Sequence, residues 1–427
     1  MRKNNRSVLG LLAGASLCAA LAGLSGCGSS SAPASPPAAR GLPAAVADAV
    51  SRDAPVPDRT VAANNRFAFN ALAQLRQAAS GTENVFISPT SLVLALEMVY
   101  NGARGDTQAG MAKALQLQVP SVDALNGDNA ALQASLVSPD PAVTLNIANS
   151  LWLRSGAVRP EFTAINQNFY GSEIGDVAGA PGNVNAWVNR KTAGKIPTIL
   201  PSGDYSQTIA ILVNAIYFNA TWTNPFDPNL TGDAPFTPAD GSTLTVKMMR
   251  AEGRSGYFKG AHFQALRLPY GTGRLNMLFF LPDADSSLDS LLAGLTPETW
   301  ADWLSRFQDK SGAIGLPRVT SSYGVTMNDT LKSLGMELAF DPNRSDFTGL
   351  TQVTGANAYI QGVYHKTFLR INEKGTEAAA ATGITVDVTS APVFDFRMTL
   401  DRPFLCAIQD QKTGVILFLG AITHPSS

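Results

Sequence analysis

The sequence predicts a mixed α and β fold with a large buried core, and three observations carry that expectation. The 427 residues are 45% hydrophobic and 15% charged, enough apolar surface for a large core, although length alone suggests two or three domains. Short apolar runs at 144–153, 209–218, 244–249, 265–268 and 275–281 read as strands. Apolar residues at helical spacing recur between them, at 183–192, 297–307 and 328–334. No internal repeat is visible.

Taken in order, the chain opens with a segment that belongs to targeting rather than to the fold. Arg2, Lys3 and Arg6 form a positive start, residues 8–24 are largely apolar, and Leu24-Ser25-Gly26-Cys27 ends the run. This resembles the lipobox of a bacterial lipoprotein, in which cleavage precedes the cysteine and Cys27 takes the lipid. An ordinary secretory signal with an incidental cysteine is the alternative; a single transmembrane anchor fits less well, because the run is short and a small-residue cleavage site follows. Gly28 lacks the acidic character of an inner-membrane retention signal, so display on the outer membrane or surface of a bacterial envelope is the expected location. Removing 1–26 lowers the net charge by three, from −1 to −4, and nothing in that balance asks for nucleic acid.

Residues 27–60 are rich in Ala, Pro and Ser and read as a tether. The folded domain is expected over 61–427. It begins with Phe67, Leu72 and Leu75 in a helical pattern, and a second helix over 91–101 sets Leu92, Leu96 and Val99 behind a Ser-Pro start. Of the three cysteines, Cys18 leaves with the signal, Cys27 carries lipid and Cys406 stands alone in the apolar run PFLCAI, where a buried inert thiol is expected. No intrachain disulfide is available, so the core must hold the fold.

The most informative stretch is EKGTEAAAAT, residues 373–382. As a strand it would put Thr376, Ala378, Ala380, Thr382, Ile384, Val386 and Val388 on one face, small and then apolar and never charged, with Glu377 and Asp387 on the other. Such a segment can be buried between two strands. Alanine propensity alone would make it a helix.

Enzyme chemistry finds no foothold. There are three histidines, His262, His365 and His424, and no G-x-S-x-G, S-x-x-K, H-E-x-x-H, P-loop or C-x-x-C pattern. Asp283 and Asp285 sit in a turn-like PDAD, and Gly271-Thr272-Gly273 is too short for a nucleotide loop. No metal site and no cofactor are expected.

The blocks NVFISPTSLVLALEMVYNGARGDT (84–107), ILVNAIYFNATW (211–222), LPRV (316–319), YHKTFLRINEKGTEAAAATG (364–383), DRPFLCAI (401–408) and GVILFLGAI (414–422) stand in the order and spacing of the serpins. The chain resembles that family along nearly its whole folded length. The resemblance implies a single α+β domain with three sheets, eight or nine helices and an exposed reactive loop. It also implies suicide inhibition: a serine protease cleaves the loop, forms an acyl-enzyme, and is carried across the domain as the loop inserts into the main sheet. An inserted strand of about 14 residues spans roughly 45 Å.

Within that resemblance Glu373, Gly375, Thr376, Ala378 and Ala380 form the loop hinge, and their small, uncharged inward register fits an inhibitory member. Counting from Glu373 as the family does places the scissile bond at Thr389-Ser390, with Val388-Thr389 as the neighbouring alternative. The absence of Lys, Arg, Phe, Tyr and Trp over 375–393 points to a small primary pocket, hence an elastase-like or subtilisin-like target; a cysteine protease stays open. Ser88, Ser91, Asn214 and His365 match the shutter beneath the central strands, Trp222 and Arg318 the breach where insertion begins, with Glu373 expected to pair with Arg318. Residues 111–136 hold one cation, Lys113, so a glycosaminoglycan site is not expected there. A non-inhibitory serpin acting as a binding or chaperone-like module is the alternative function.

Overall fold

A computed structural model describes residues 54–425 except 138, 155–157, 206–207, 209, 352–357 and 377–392. The targeting segment, Cys27 and nearly all of the tether therefore lie outside the described residues, as do Ala378, Ala380, Thr389 and Ser390.

Helix α1 (Asp58–Ala78) starts three residues earlier than the sequence pattern suggests. Pro57 fixes an extended residue ahead of it, Asp58 favours the helix N-terminus, and Arg59 and Thr60 both bond the Asp128 carboxylate. Phe67, Ala68, Ala71, Leu72 and Leu75 are its buried stripe. After the short strand β1 (Val85–Ile87), α2 (Pro89–Tyr100) follows an extended Ser88 with proline at its first position. Every residue of α2 is buried, which explains its apolar character on all sides and marks it as the central helix.

Three helices that the periodicity did not announce come next: α3 (Gly105–Ala114), α4 (Val122–Leu136) and, after strand β2 (Val143–Leu153), α5 (Pro160–Tyr170). Strand β3 (Glu173–Asp176) precedes α6 (Gly182–Lys191), and β4 (Ala210–Thr221) follows it. Strands β5 (Gly232–Phe236), β6 (Leu244–Lys259), β7 (Phe263–Pro269) and β8 (Leu275–Pro282) lead to the helices α7 (Leu288–Ala293) and α8 (Pro297–Ser305). The remainder holds β9 (Gln308–Pro317), β10 (Val319–Thr326), α9 (Asn328–Leu331), β11 (Gly362–Asn372), β12 (Gly375–Thr376), β13 (Phe396–Thr399), β14 (Phe404–Asp410) and β15 (Ile416–Ile422).

Hydrogen bonding joins these strands into two networks. One is a six-stranded sheet in the order β10-β11-β12-β4-β2-β3. The other has nine strands, because β6 runs unbroken for 16 residues and pairs with β5, with β7 and along its length with β9. Two of the three expected sheets are thus fused through one strand. The fold is mixed α+β, with nine α-helices among the described residues. The main core lies between the sheets and α1 and α2 and is rich in phenylalanine: Phe67, Phe86, Phe279, Phe280, Phe404 and Phe418 are all at most 1% exposed. A smaller cluster packs Val184, Trp187 and Val188 of α6 onto Trp152, Ile211 and Val213, and so covers the outer face of the six-stranded sheet. Cys406, on β14, is fully buried, and burial pushes its thiol well above the usual range.

Candidate functional site

The six-stranded sheet is closed at one end and parted at the other. Strands β11 and β4 pair in parallel from Gly362↔Ile211 to Lys366↔Ala215, where that register ends. Five residues further on, Ile371 and Ala220 would meet next, but Thr376 lies between them and pairs with both. The chain reverses after Asn372, and β12 enters the sheet antiparallel to each neighbour.

Local chemistry explains that reversal. The Asn372 side chain accepts from the amides of Lys374 and Gly375, a side-chain turn that asparagine favours. Gly375 takes φ +148°, and an added Cβ would sit 2.0 Å from the Ala220 carbonyl oxygen, so glycine is required by both conformation and space. Beyond it Thr376 is 2% exposed, its hydroxyl 2.6 Å from that of Tyr270. Burial pushes the Tyr270 phenol well above its ordinary range, so it remains a neutral hydrogen-bonding group.

Trp222 and Phe226 clasp the reversing backbone from the side. The Trp222 indole donates to the Asn372 carbonyl at 2.9 Å, its amide donates to Lys374, and the Phe226 amide donates to Glu373. Trp222 also stacks on Tyr270 with ring centroids 4.4 Å apart. Arg318, just ahead of β10, donates to Glu373 through Nε at 2.8 Å and Nη2 at 2.6 Å, and Thr231 donates to the same oxygen. Burial pushes the Glu373 carboxyl up, yet the bonds from Arg318 and Thr231 outweigh it and hold the group below the usual carboxylate range. The structure therefore brings Glu373, Gly375, Thr376, Trp222 and Arg318 into one cluster. Tyr270, Asn372, Phe226 and Thr231 complete it and were not foreseen; Phe226 and Thr231 sit in loops whose sequence carries no motif.

A second cluster sits where β11 and β4 are still paired. His365 and Asn214 are partners in that register, with Nδ1 2.6 Å from Oδ1. The His365 Nε2 accepts from the Ser88 amide at 3.1 Å, so the proton resides on Nδ1 and is donated to Asn214. Asn214 Nδ2 reaches Ser91 Oγ and Asn149 Oδ1, and Ser88 Oγ donates to the Leu417 carbonyl. Burial lowers the His365 pKa to about 3, so the ring is neutral across physiological pH. The four residues read from sequence meet here. Asn149 is the missing fifth, opposite Asn214 on β2, and its signal is only an asparagine within an apolar strand.

Nothing in either cluster is arranged for bond chemistry: no nucleophile stands beside a base, and among the described residues no three His, Cys, Asp or Glu side chains could hold a metal ion. What the arrangement offers is mechanical, a sheet with a lodged two-residue strand at one end and a polar lock further along the same slot.

Comparison with known proteins gives the same architecture. A family model described as serpin (serine protease inhibitor) matches residues 62–425. Leukocyte elastase inhibitor A of Mus musculus is 34% identical over 382 residues, covering 85% of this chain and 98% of that protein. Tengpin, a thermophilic serpin solved in the native state, superposes with a TM-score of 0.79 at 30% identity, over 88% of this chain and 96% of tengpin. Human thyroxine-binding globulin, solved in complex with thyroxine, gives 0.78 at 28% identity, over 86% of this chain and 99% of that one.

Proposed function

The chain belongs to the serpin family, and from that premise we propose that it is a suicide inhibitor of an elastase-like or subtilisin-like serine protease, cleaved at about Thr389-Ser390. The observation that supports this reading is the position of Thr376. It occupies the slot between β11 and β4 as the first inward residue of a segment whose following inward positions, Ala378 and Ala380, are small. A loop cleaved further along could continue that strand only by opening the β11–β4 pairing, which is where His365 and Asn214 lie. On this reading Ser88, Ser91, Asn214 and His365 are the shutter, Trp222, Arg318 and Glu373 the breach, and both set timing rather than catalysis. Likeness to a leukocyte elastase inhibitor agrees with a small-residue target, as does the lack of aromatic and basic residues around the scissile bond. Lipidation at Cys27 would hold the inhibitor on a bacterial envelope, where it meets proteases outside the cytoplasm.

The test is incubation of the protein with pancreatic elastase, followed by a denaturing gel and intact-mass measurement of the released peptide. A heat- and SDS-resistant band at the summed mass, with a peptide starting at Ser390, is the expected result. Cleavage with neither a covalent band nor a rise in unfolding temperature would sink it.

A second reading is a non-inhibitory binding module, favoured by the likeness to thyroxine-binding globulin. It predicts cleavage without a covalent complex for every serine protease tried.

A further inference from the structure

Helix α4 turns three polar side chains inward, Asn126, Asp128 and Asn129, and they meet Glu97 of α2 and Asn101, the residue that caps its C-terminal end; all five are buried. Asn101 and Asn126 bond each other through both amides, at 3.1 and 2.9 Å. Tyr170 of α5 donates its hydroxyl to Asn126 Oδ1 at 2.8 Å. Asn129 Nδ2 bridges the Tyr170 hydroxyl and Glu97 Oε2, the latter at 2.7 Å, while its own Oδ1 has no partner. Three helices are therefore joined by a polar seam that runs through Asn126 and Tyr170 and ends on the Glu97 carboxyl group.

Glu97 is 1% exposed, and its side-chain partner is a neutral amide. The titratable groups around it bring no compensating charge. Tyr100 lies on its own helix and Tyr170 on α5; Asp128 of α4 adds negative charge, and Arg59 of α1 is committed to Asp128 through two bonds, at 2.8 and 2.9 Å. A buried carboxylate without a cation is heavily penalised, and the ordinary escape is to keep the proton.

We propose that Glu97 is a proton-linked joint: protonated, it completes the seam between α2, α4 and α5, and ionised it drives the seam apart. Burial opposes ionisation first, with Asp128 adding to it, and together they outweigh the bond from Asn129, so the carboxyl titrates near 8 instead of 4.5. The folded chain thus keeps a proton that the unfolded chain releases. The stability this confers is full below about 4.5 and is lost as pH rises through about 8. Ser91, which reaches Asn214, lies on α2 less than two turns before Glu97, so the joint acts on the helix that anchors the sheet lock.

The test is the unfolding rate of the full chain in fixed urea at pH 5.5 and 8.5, for the wild type and for Glu97→Gln, which keeps the shape without the charge. The wild-type rate divided by the variant rate should rise roughly tenfold or more between the two pH values. A ratio unchanged with pH overturns the proposal. Infrared titration of the wild-type chain with 13C-labelled glutamate gives a readout independent of the variant's folding. A protonated glutamate carboxyl band present at pH 7 and gone by pH 9 supports the joint, and its absence at pH 7 overturns it.

Discussion

His365 Nδ1 stands 2.6 Å from Asn214 Oδ1, across the parallel stretch in which β11 and β4 still touch. A strand that lengthens β12 by about six residues must pass between these two residues. Separating that contact is thus part of the work of opening the sheet. Replacing the imidazole leaves the Ser88 amide and the Asn214 carbonyl oxygen buried without partners, at about 1–3 kcal/mol each. His365→Ala is therefore expected to unfold at a lower urea midpoint and to lose its native, cleavable form faster on storage; an unchanged midpoint counts against the lock.

The pH dependence of the same contact has a definite sign. His365 titrates near 3 when folded against an ordinary value of 6.5, so its contribution is present above about 6.5 and is lost as pH falls toward 3. By pH 5 the loss amounts to about 2 kcal/mol. The stability gap between the wild type and His365→Asn should shrink by that order between pH 7 and pH 5, as read from urea unfolding monitored by tryptophan fluorescence.

Arg318→Ala strips the Glu373 carboxylate of its cation. Because Glu373 is nearly enclosed while Arg318 is partly in water, the cost is expected at about 1–3 kcal/mol, below that of a fully buried pair. Amide exchange should report it locally: the Trp222 and Phe226 amides, which donate to Lys374 and Glu373, should exchange faster while those of β14 and β15 stay protected.

Tyr270→Phe removes the partner of the Thr376 hydroxyl and little else, a loss of about 1 kcal/mol. It should increase protease access at the hinge with the core unchanged. Thr376→Arg is the harsher counterpart: the loop remains cleavable, but a cation cannot be buried at a position that is 2% exposed, so the covalent complex should vanish. An undiminished complex from Thr376→Arg would remove the basis for insertion.

Gly375→Ala combines a strained φ of +148° with a clash on the Ala220 carbonyl oxygen. It should eject β12 without unfolding the rest. Limited proteolysis should then show a longer accessible segment beginning before Thr376.

Much of this was legible in the chain, for identifiable reasons. Strands β4 and β8 are largely apolar on both faces and read as near-continuous runs, and α2 is largely apolar all round, so burial itself wrote the pattern. Helix α4 was missed because Asn126, Asp128 and Asn129, which periodicity counts as solvent-facing, are buried alongside Leu125, Leu132 and Leu136 and blur the apolar stripe. Strand β6 was read only over 244–249, since its later residues, Arg250, Glu252, Gly253 and Arg254, resemble a polar loop and are held by pairing with β9 instead. Asn149 and Tyr270 escaped for a related cause: each completes a cluster drawn from distant strands, and neither has a neighbour in sequence that hints at it.

The brevity of β12 has a kinetic meaning. Two-stranded pairing is slow to start and quick to extend, because the first contacts fix many torsions for little return. Here the starting cost has been met in advance by Asn372, Gly375 and the Trp222 clasp, so any growth of the strand would begin as propagation rather than nucleation. The barrier ahead is then a short ladder, the five rungs from Lys366 back to Gly362, with the side-chain-bonded His365–Asn214 rung encountered second. On the proposed reading, insertion would start from a strand already seated, and the intact β11–β4 ladder would be the barrier still to cross.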